Sequence, residues 1–238
     1  SMNGVPVAPD GGATTVPAGA VVSVHWNQPG TSWNKARANK ELTEAGISIL
    51  YEDRFVVAIN KPPGLLTDTA TRQQSRERES VRKLLHTWLT AQGDGANIVH
   101  RIDRDTSGVV LLARTEESAL SLRNQFRERK PERVYRALVW GTPSDGEWVD
   151  WMAWDRHHNQ QMVTSEGKEG ASRGVCHARI LQQFGRLASE IEVRLDSGRR
   201  NQIRLQAMLR GSPLLGERQY RHEDWRPPAN ISAPRQCL

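Results

Sequence analysis

A charged segment just before an apolar run places the strongest constraint on how this chain can fold. Residues 101–105 contain two arginines and two aspartates, and residues 109–113 are all apolar. Ionised side chains at the mouth of a buried strand cost free energy unless each has a partner or a task. The segment therefore predicts an ion-paired turn, the commoner case, or an active-site loop. In the second case, an arginine would keep the carboxylate ionised, as a nucleophile or general base must be.

The chain is basic and rich in arginine. Its 33 basic residues exceed its 27 acidic residues and give a formal net charge of +6. Only six of the basic residues are lysines, and the guanidinium group of arginine suits phosphate and base recognition. A GC-rich genome also favours arginine codons, but it does not explain the net charge. Together with eight tryptophans, the charge predicts a nucleic-acid partner.

Composition and motifs exclude several classes of protein. The 238 residues suffice for one sizeable core with a small appendage. Cys176 and Cys237 are too far apart for a zinc motif and favour a reducing, cytoplasmic location. No apolar run reaches the roughly 18 residues of a membrane span, and residues 1–19 lack the regions of a signal peptide. Phosphate-loop, dinucleotide, serine-elbow and zinc-protease motifs are absent, so the expected site uses no cofactor and no metal.

The apolar periodicity predicts both helices and strands. One helix is expected after Ser80, because apolar residues recur there at the i, i+3, i+4, i+7 and i+8 spacing of a helix face, namely Val81, Leu84, Leu85, Trp88 and Leu89. A second helix is expected from Thr115 to about Arg129. Alternating apolar residues predict a half-buried strand over 187–195, followed by a helix that ends at Gly211. Further expectations are a hairpin over 47–59, a strand over 134–140 and a short strand over 21–24.

Three other regions are harder to assign. Residues 33–44 are polar and predict a linker with some helix, and residues 69–79 predict a mobile loop. Residues 141–171 contain scattered tryptophans and predict short strands and loops. The adjacent histidines His157 and His158 should point to opposite faces of an extended segment, which argues against a metal site.

A second arginine-rich segment follows the predicted strand at residues 187–195. Residues 198–204 read Gly-Arg-Arg-Asn-Gln-Ile-Arg and lead from that strand into the predicted helix. Backbone N–H groups at such a transition can bind anions. This segment is therefore a second candidate for binding or catalysis.

Four motifs, in order along the chain, resemble those of RluA-type pseudouridine synthases, which isomerise uridine to pseudouridine in structured RNA. The motif of the nucleophilic aspartate is similar to residues 100–108, His-Arg-Ile-Asp-Arg-Asp-Thr-Ser-Gly. The upstream Lys-Pro-x-Gly-Leu loop resembles residues 61–65. The tyrosine strand resembles residues 134–141, and the third motif resembles residues 198–204.

The resemblance implies a fold and a domain organisation. Residues 46–238 would form an α+β catalytic domain with a mixed, largely antiparallel central sheet flanked by helices. Residues 1–45 would be a partial S4-like RNA-binding remnant and a linker, and the last residues would begin a family strand that normally continues. The partner would be ribosomal or transfer RNA, and we expect a monomer.

The resemblance also assigns roles. Asp103 would be the nucleophile and Arg204 its ion-pair partner. Tyr135 would stack on the uracil and help to remove the C5 proton in the last step. Ile203 would line the pocket, and Arg101 would fill the space left in the RNA stack by the flipped uridine. The remaining expected RNA contacts or supports are His100, Arg104, Arg199, Arg200 and Lys61.

The sequence departs from the family pattern at three positions. Asn201 and Gln206 stand where histidines are usual, and Glu217 stands where aspartate is more usual. The altered third motif, and the expectation that both ends of the chain are cut, motivate one alternative, an RNA-binding protein without catalysis. A second alternative is a nucleoside or glycoside hydrolase, for which Asp105 is the only nearby second acid. For the synthase itself, attack at C1′, addition at C6 and removal of a C2′ proton all remain open to Asp103.

Overall fold

The computed structural model describes residues 32–69, 78–228, 231 and 233–238. It divides into two compact units, the first including residues up to 101 and 108–122, the second 102–107 and 123–238. The predicted strand over 21–24 and most of the predicted loop over 69–79 lie outside the described residues. Each unit has its own antiparallel sheet, which confirms an α+β fold.

The sheet of the first unit has four strands in the order β1-β2-β4-β3. Its core-facing side includes Val57, Ile59, Val110 and Leu112, all fully buried. The predicted hairpin is confirmed, since β1 and β2 pair in antiparallel register. The strands are β1 (Ser48–Glu52), β2 (Val56–Lys61), β3 (Asn97–Ile98) and β4 (Gly108–Ala113).

Two helices of the first unit pack against each other: α1 (Ser32–Glu44) and α2 (Val81–Thr90). The Ser80 hydroxyl accepts the Lys83 N–H at 3.3 Å, which confirms the predicted helix start. The Trp88 indole N–H donates to the Asn39 side chain of α1 at 2.5 Å. The expected linker over 33–44 is thus a continuous helix, with an apolar side that is buried.

The second unit has five strands in the order β5-β9-β8-β6-β7. Its core includes Trp148, Ile191, Val193 and Leu214, all at most 1 % exposed. The strands are β5 (Val134–Trp140), β6 (Gly146–Asp155), β7 (Gln160–Thr164), β8 (Ser172–Phe184) and β9 (Ala188–Leu195).

Helix α3 (Glu116–Arg127) begins in the first unit and ends in the second, since the division falls after Leu122. A further helix, α4 (Gln202–Leu209), follows β9. The Thr115 hydroxyl accepts the Ser118 N–H at 3.1 Å at the start of α3, as predicted. Arg129, the predicted end of α3, instead lies beyond it with a φ of 58°. Gly211, with a φ of 67°, follows α4 and confirms its predicted end.

Two expectations for residues 141–171 were wrong. The ten-residue strand β6 pairs with both β7 and β8, where short strands and loops were predicted. Its alternation was hidden because polar residues and half-buried tryptophans share the strand. His157 and His158 lie in the β6–β7 turn, where their ring centroids are 4.5 Å apart, so they do not face opposite sides of a strand. Among the described residues, no helix is long and apolar enough to cross a membrane.

Candidate active site

The loop of residues 102–107 in the second unit carries Asp103, whose side chain is 25 % exposed. The last residues of the chain hold this loop. Gln236 donates to the Thr106 hydroxyl at 3.1 Å, and the Ser107 N–H donates to the Leu238 carbonyl at 3.2 Å. The Arg235 guanidinium also donates to the Ser107 hydroxyl at 3.2 Å. The loop is therefore fixed by contacts within its own unit.

Asn201 holds the Asp103 carboxylate. Its side-chain amide donates to Oδ2 of Asp103 at 2.5 Å, across a sequence separation of 98 residues. The Arg204 guanidinium lies 4.0 Å from the same oxygen. The expected ion pair is thus at the limit of ion-pair distance, and an uncharged amide makes the short contact. The sequence did not predict this contact, because Asn201 stands out only as a departure from the usual histidine.

Glu217 is the main partner of Arg204. The guanidinium makes two hydrogen bonds with this carboxylate, at 2.8 Å and 2.7 Å. Glu217 also accepts the backbone N–H groups of Arg218, Gln219 and Tyr220, and its side chain is only 1 % exposed. Burial alone would raise the pKa of Glu217, but the hydrogen bonds and the charge of Arg204 outweigh it and lower the pKa. Arg204 is therefore held rigidly beside Asp103.

Tyr135 and Ile203 contribute apolar surface to the second unit. Tyr135 lies half-buried on β5, against the core cluster that contains Ile203, which is 4 % exposed. Burial raises the pKa of Tyr135, the charge of Arg133 lowers it and that of Asp103 raises it, with a net increase. The hydroxyl is therefore protonated at neutral pH.

Three of the predicted RNA-contacting arginines are exposed in this unit. Arg104 makes a bidentate pair with Asp105, at 3.0 Å and 2.8 Å. Arg200 lies 3.8 Å from the centroid of the Trp154 ring. Arg199 donates to the Arg173 carbonyl at 3.4 Å. The Trp154 ring thus orients the guanidinium of Arg200, and the Asp105 carboxylate orients that of Arg104.

The other predicted contacts belong to the first unit. Arg101 is exposed, and the His100 ring accepts the Leu111 N–H at 2.9 Å, which ties the start of the motif to β4. Lys61 is fully buried, and its amine donates to the carbonyls of Pro62 and Leu65, both at 2.8 Å. Lys61 therefore shapes its loop through these bonds, and its contact with RNA stays a prediction.

Among the described residues, one group could bind a metal ion: Glu147, His177 and Asp196. All three are exposed, and His177 lies 3.1 Å from Asp196 as an ordinary surface pair. None of them was predicted as a site residue. Around Asp103 lie the Asn201 amide and the Arg204 guanidinium, which can orient a carboxylate.

Comparison with known proteins identifies the family. The family model for RNA pseudouridylate synthases matches residues 55–209, about two thirds of the chain. The dual-specificity RNA pseudouridine synthase RluA of Escherichia coli is 29 % identical over 82 % of this chain and 84 % of its own length. The chain belongs to the RluA-type RNA pseudouridine synthases.

Further matches agree with this membership. An uncharacterised RNA pseudouridine synthase of Synechocystis is 31 % identical over 81 % of this chain, which spans 59 % of that relative's length. The structure of human RNA pseudouridylate synthase domain-containing 4 superposes with a TM-score of 0.64 at 21 % identity, over 85 % of this chain and 78 % of that one. This likeness concerns the fold of the synthase.

Proposed function

We propose that this synthase isomerises specific uridines to pseudouridine in structured ribosomal or transfer RNA, with Asp103 as the nucleophilic catalyst. The observation that carries the proposal is the Asp103 carboxylate, partly exposed and held by Asn201 at 2.5 Å within 4.0 Å of Arg204. A carboxylate oriented by its neighbours can act as a nucleophile without a cofactor. We also retain the proposal that residues 46–238 are the catalytic domain and that the chain acts as a monomer.

The proposed reaction exchanges one bond to the sugar for another. The bond between uracil N1 and C1′ breaks, the ring rotates, and C5 bonds to C1′. The C5 proton leaves and N1, which carries no proton in uridine, gains one, so the overall reaction is an isomerisation. Asp103 would promote the first cleavage by attack at C1′, by addition at C6 or by removal of a C2′ proton. In each route the site must hold the detached uracil away from water.

We assign Tyr135 and Ile203 to the uracil pocket. A half-buried aromatic ring beside an apolar core suits stacking on a base. Because burial raises the pKa of Tyr135, its hydroxyl is protonated at neutral pH. This supports stacking and hydrogen bonding rather than action as an ionised base. Any proton that the hydroxyl takes from C5 would have to be passed on in the same step.

The test compares Asp103→Asn with Asp105→Asn. Each variant would be incubated with bulk RNA labelled with tritium at uridine C5, and the released tritium would be measured. We expect release by the parent chain and by Asp105→Asn, and none by Asp103→Asn. Asp105 is a matched control because it lies two positions away on the same loop and pairs with Arg104 at 2.8 Å.

Three outcomes would contradict the proposal. RNA binding without release from the parent chain would favour an RNA-binding protein without catalysis. Free uracil among the products would favour hydrolysis. Tritium release from Asp103→Asn equal to that of the parent would remove Asp103 from the mechanism.

We further propose that Arg101 fills the stack after the uridine has flipped out. Its side chain is exposed, and guanidinium planes stack on bases. Arg101→Ala should lower the rate on a structured RNA more than on a short unstructured strand, in which little stacking must be broken. Arg82→Ala, which removes an exposed arginine 3.6 Å from Asp68, is the control and should leave both rates unchanged. Equal losses on the two RNAs would exclude the flipping role.

A further inference from the structure

We infer that Asn201 is the positioning residue for Asp103, and that the Tyr220 hydroxyl fixes the orientation of Asn201. This inference rests on the proposed function, since Asn201 would act through the catalytic carboxylate. Two uncharged side chains, linked by a hydrogen bond, would thus orient Asp103, a role first expected of Arg204. Three observations carry it: the direction of the hydrogen bonds, the backbone of Asn201 and the alternative partner of Arg204.

The hydrogen bonds around Tyr220 have only one consistent direction. The backbone N–H of Gln161 can only donate, and it donates to the Tyr220 hydroxyl oxygen at 2.7 Å. The hydroxyl proton is then directed to Oδ1 of Asn201, 3.1 Å away. The carbonyl side of the Asn201 amide therefore faces Tyr220, and its N–H₂ group faces Asp103 at 2.5 Å.

Burial makes this arrangement rigid. Tyr220 is 3 % exposed and packs against Met152 and Leu205. The Arg204 guanidinium lies 4.8 Å from the centroid of its ring. In surroundings of low dielectric constant, a continuous chain of hydrogen bonds is stronger than the same bonds in water. A backbone N–H of the sheet thus orients the carboxylate through two side chains.

The backbone of Asn201 releases its side chain for this task. Asn201 immediately precedes α4, where asparagine commonly caps the helix through its side chain. Here the side chain makes no capping bond, and the residue has a φ of 54° and a ψ of 23°. Asparagine tolerates this left-handed conformation better than most residues. The turn therefore directs the amide to Asp103 and away from the helix.

Arg204 is not available as the close partner. Its two short hydrogen bonds go to Glu217, and it remains 4.0 Å from Asp103. A carboxylate in a close bidentate pair with arginine has much of its charge neutralised, which weakens it as a nucleophile. An amide orients the carboxylate without neutralising it. Asn201 therefore supplies orientation, and Arg204 supplies a more distant positive charge.

The test uses Asn201→Gly, Tyr220→Phe and the double variant. Glycine suits the left-handed backbone, so Asn201→Gly removes the amide without backbone strain. The single-turnover rate of pseudouridine formation and the dissociation constant for RNA would be measured separately, on one RNA that the parent chain modifies. We expect Asn201→Gly to lower the rate on the order of a hundredfold, as for a misplaced reacting group, with the dissociation constant within about threefold of the parent's. Tyr220→Phe should lower the rate about tenfold.

The double variant distinguishes positioning from mere structure. Because Tyr220 acts through Asn201, Tyr220→Phe should cost nothing further once Asn201 is glycine. Tyr51→Phe is the control, since it removes an exposed hydroxyl bonded to Asp53 at 3.0 Å, and its rate should equal the parent's. Multiplicative rate losses in the double variant, or an Asn201→Gly rate equal to the parent's, would overturn the inference. A parent chain that forms no pseudouridine would instead overturn the proposed function.

Discussion

Glu217 determines whether Arg204 stays beside Asp103. Removing its charge leaves a largely buried guanidinium without its close partner, and breaking such a pair typically costs about 3 kcal/mol or more. We therefore predict that Glu217→Gln lowers the free energy of unfolding by about 3 kcal/mol. Chemical denaturation followed by tryptophan fluorescence measures this change. Glu190→Gln is the control: its partner Arg136 is 72 % exposed, so the loss should stay below about 1 kcal/mol.

The same carboxylate predicts how stability depends on acid. The pKa of Glu217 lies below its ordinary value of 4.5, because the bonds and charge of Arg204 outweigh burial. Its contribution to stability is therefore complete above pH 4.5 and is lost as the pH falls through the lowered pKa. Between about pH 5 and pH 3 the parent should lose more free energy of unfolding than Glu217→Gln. Parallel curves for the two proteins would contradict the assignment.

At the scale of elements, the C-terminal segment, residues 235–238, holds the Asp103 loop and crosses the chain at Gly216. A Cβ atom on Gly216 would overlap the Arg235 carbonyl oxygen, which is backbone and cannot rotate away. Gly167 has a similar φ, 78° against 75°, but a Cβ there would meet nothing. The two glycines thus form a matched pair that separates backbone strain from crowding.

We predict different costs for Gly216→Ala and Gly167→Ala. The positive φ costs about 1 kcal/mol in both, and crowding should add about 2 kcal/mol in Gly216→Ala alone. Displacing the segment should also speed amide hydrogen exchange at Ser107 and Leu138, whose N–H groups donate to Leu238 and Cys237. The rate of pseudouridine formation should fall in the same variant, since Asp103 lies on that loop. Equal exchange in the two variants would show that the segment does not hold the loop.

Whether an element could be predicted depended on how clear its period was. Helix α2 has a capping serine and a regular apolar face, and both were correctly identified. The alternation of β9 was equally clear, since Ile191 and Val193 face the core and alternate with charged residues. Strand β6 was missed because apolar and polar residues do not alternate along its sequence. Two of its three tryptophans are only half-buried, so apolar residues lie on both of its faces.

At the scale of the whole molecule, the sequence indicated the motifs but not their contacts. Asp103, Tyr135 and Arg204 were predicted as site residues because each lies in a recognisable local pattern. The contact between Asn201 and Asp103 joins residues 98 positions apart, and no local pattern reports such a distance. The bond between Arg204 and Glu217 was missed for a related reason, since Glu217 stood out only as a departure from the usual aspartate and its partner lies 13 residues away. Local patterns thus identify chemistry, while the fold decides which charges meet.

The excess of basic residues predicts that RNA affinity falls steeply with salt, because binding releases cations from the phosphates. Arg200 should carry part of this effect, since Trp154 directs its exposed guanidinium at 3.8 Å. Arg200→Ala should weaken binding to all RNA sequences alike and reduce the slope of log affinity against log salt by about 1. Trp154→Leu should weaken binding too, while Arg179→Ala should not, because that arginine lies 3.4 Å from Glu192 on the exposed sheet. If Arg179→Ala changes the slope as much as Arg200→Ala does, net charge alone attracts RNA. The orientation of Arg200 by Trp154 then has no part in binding.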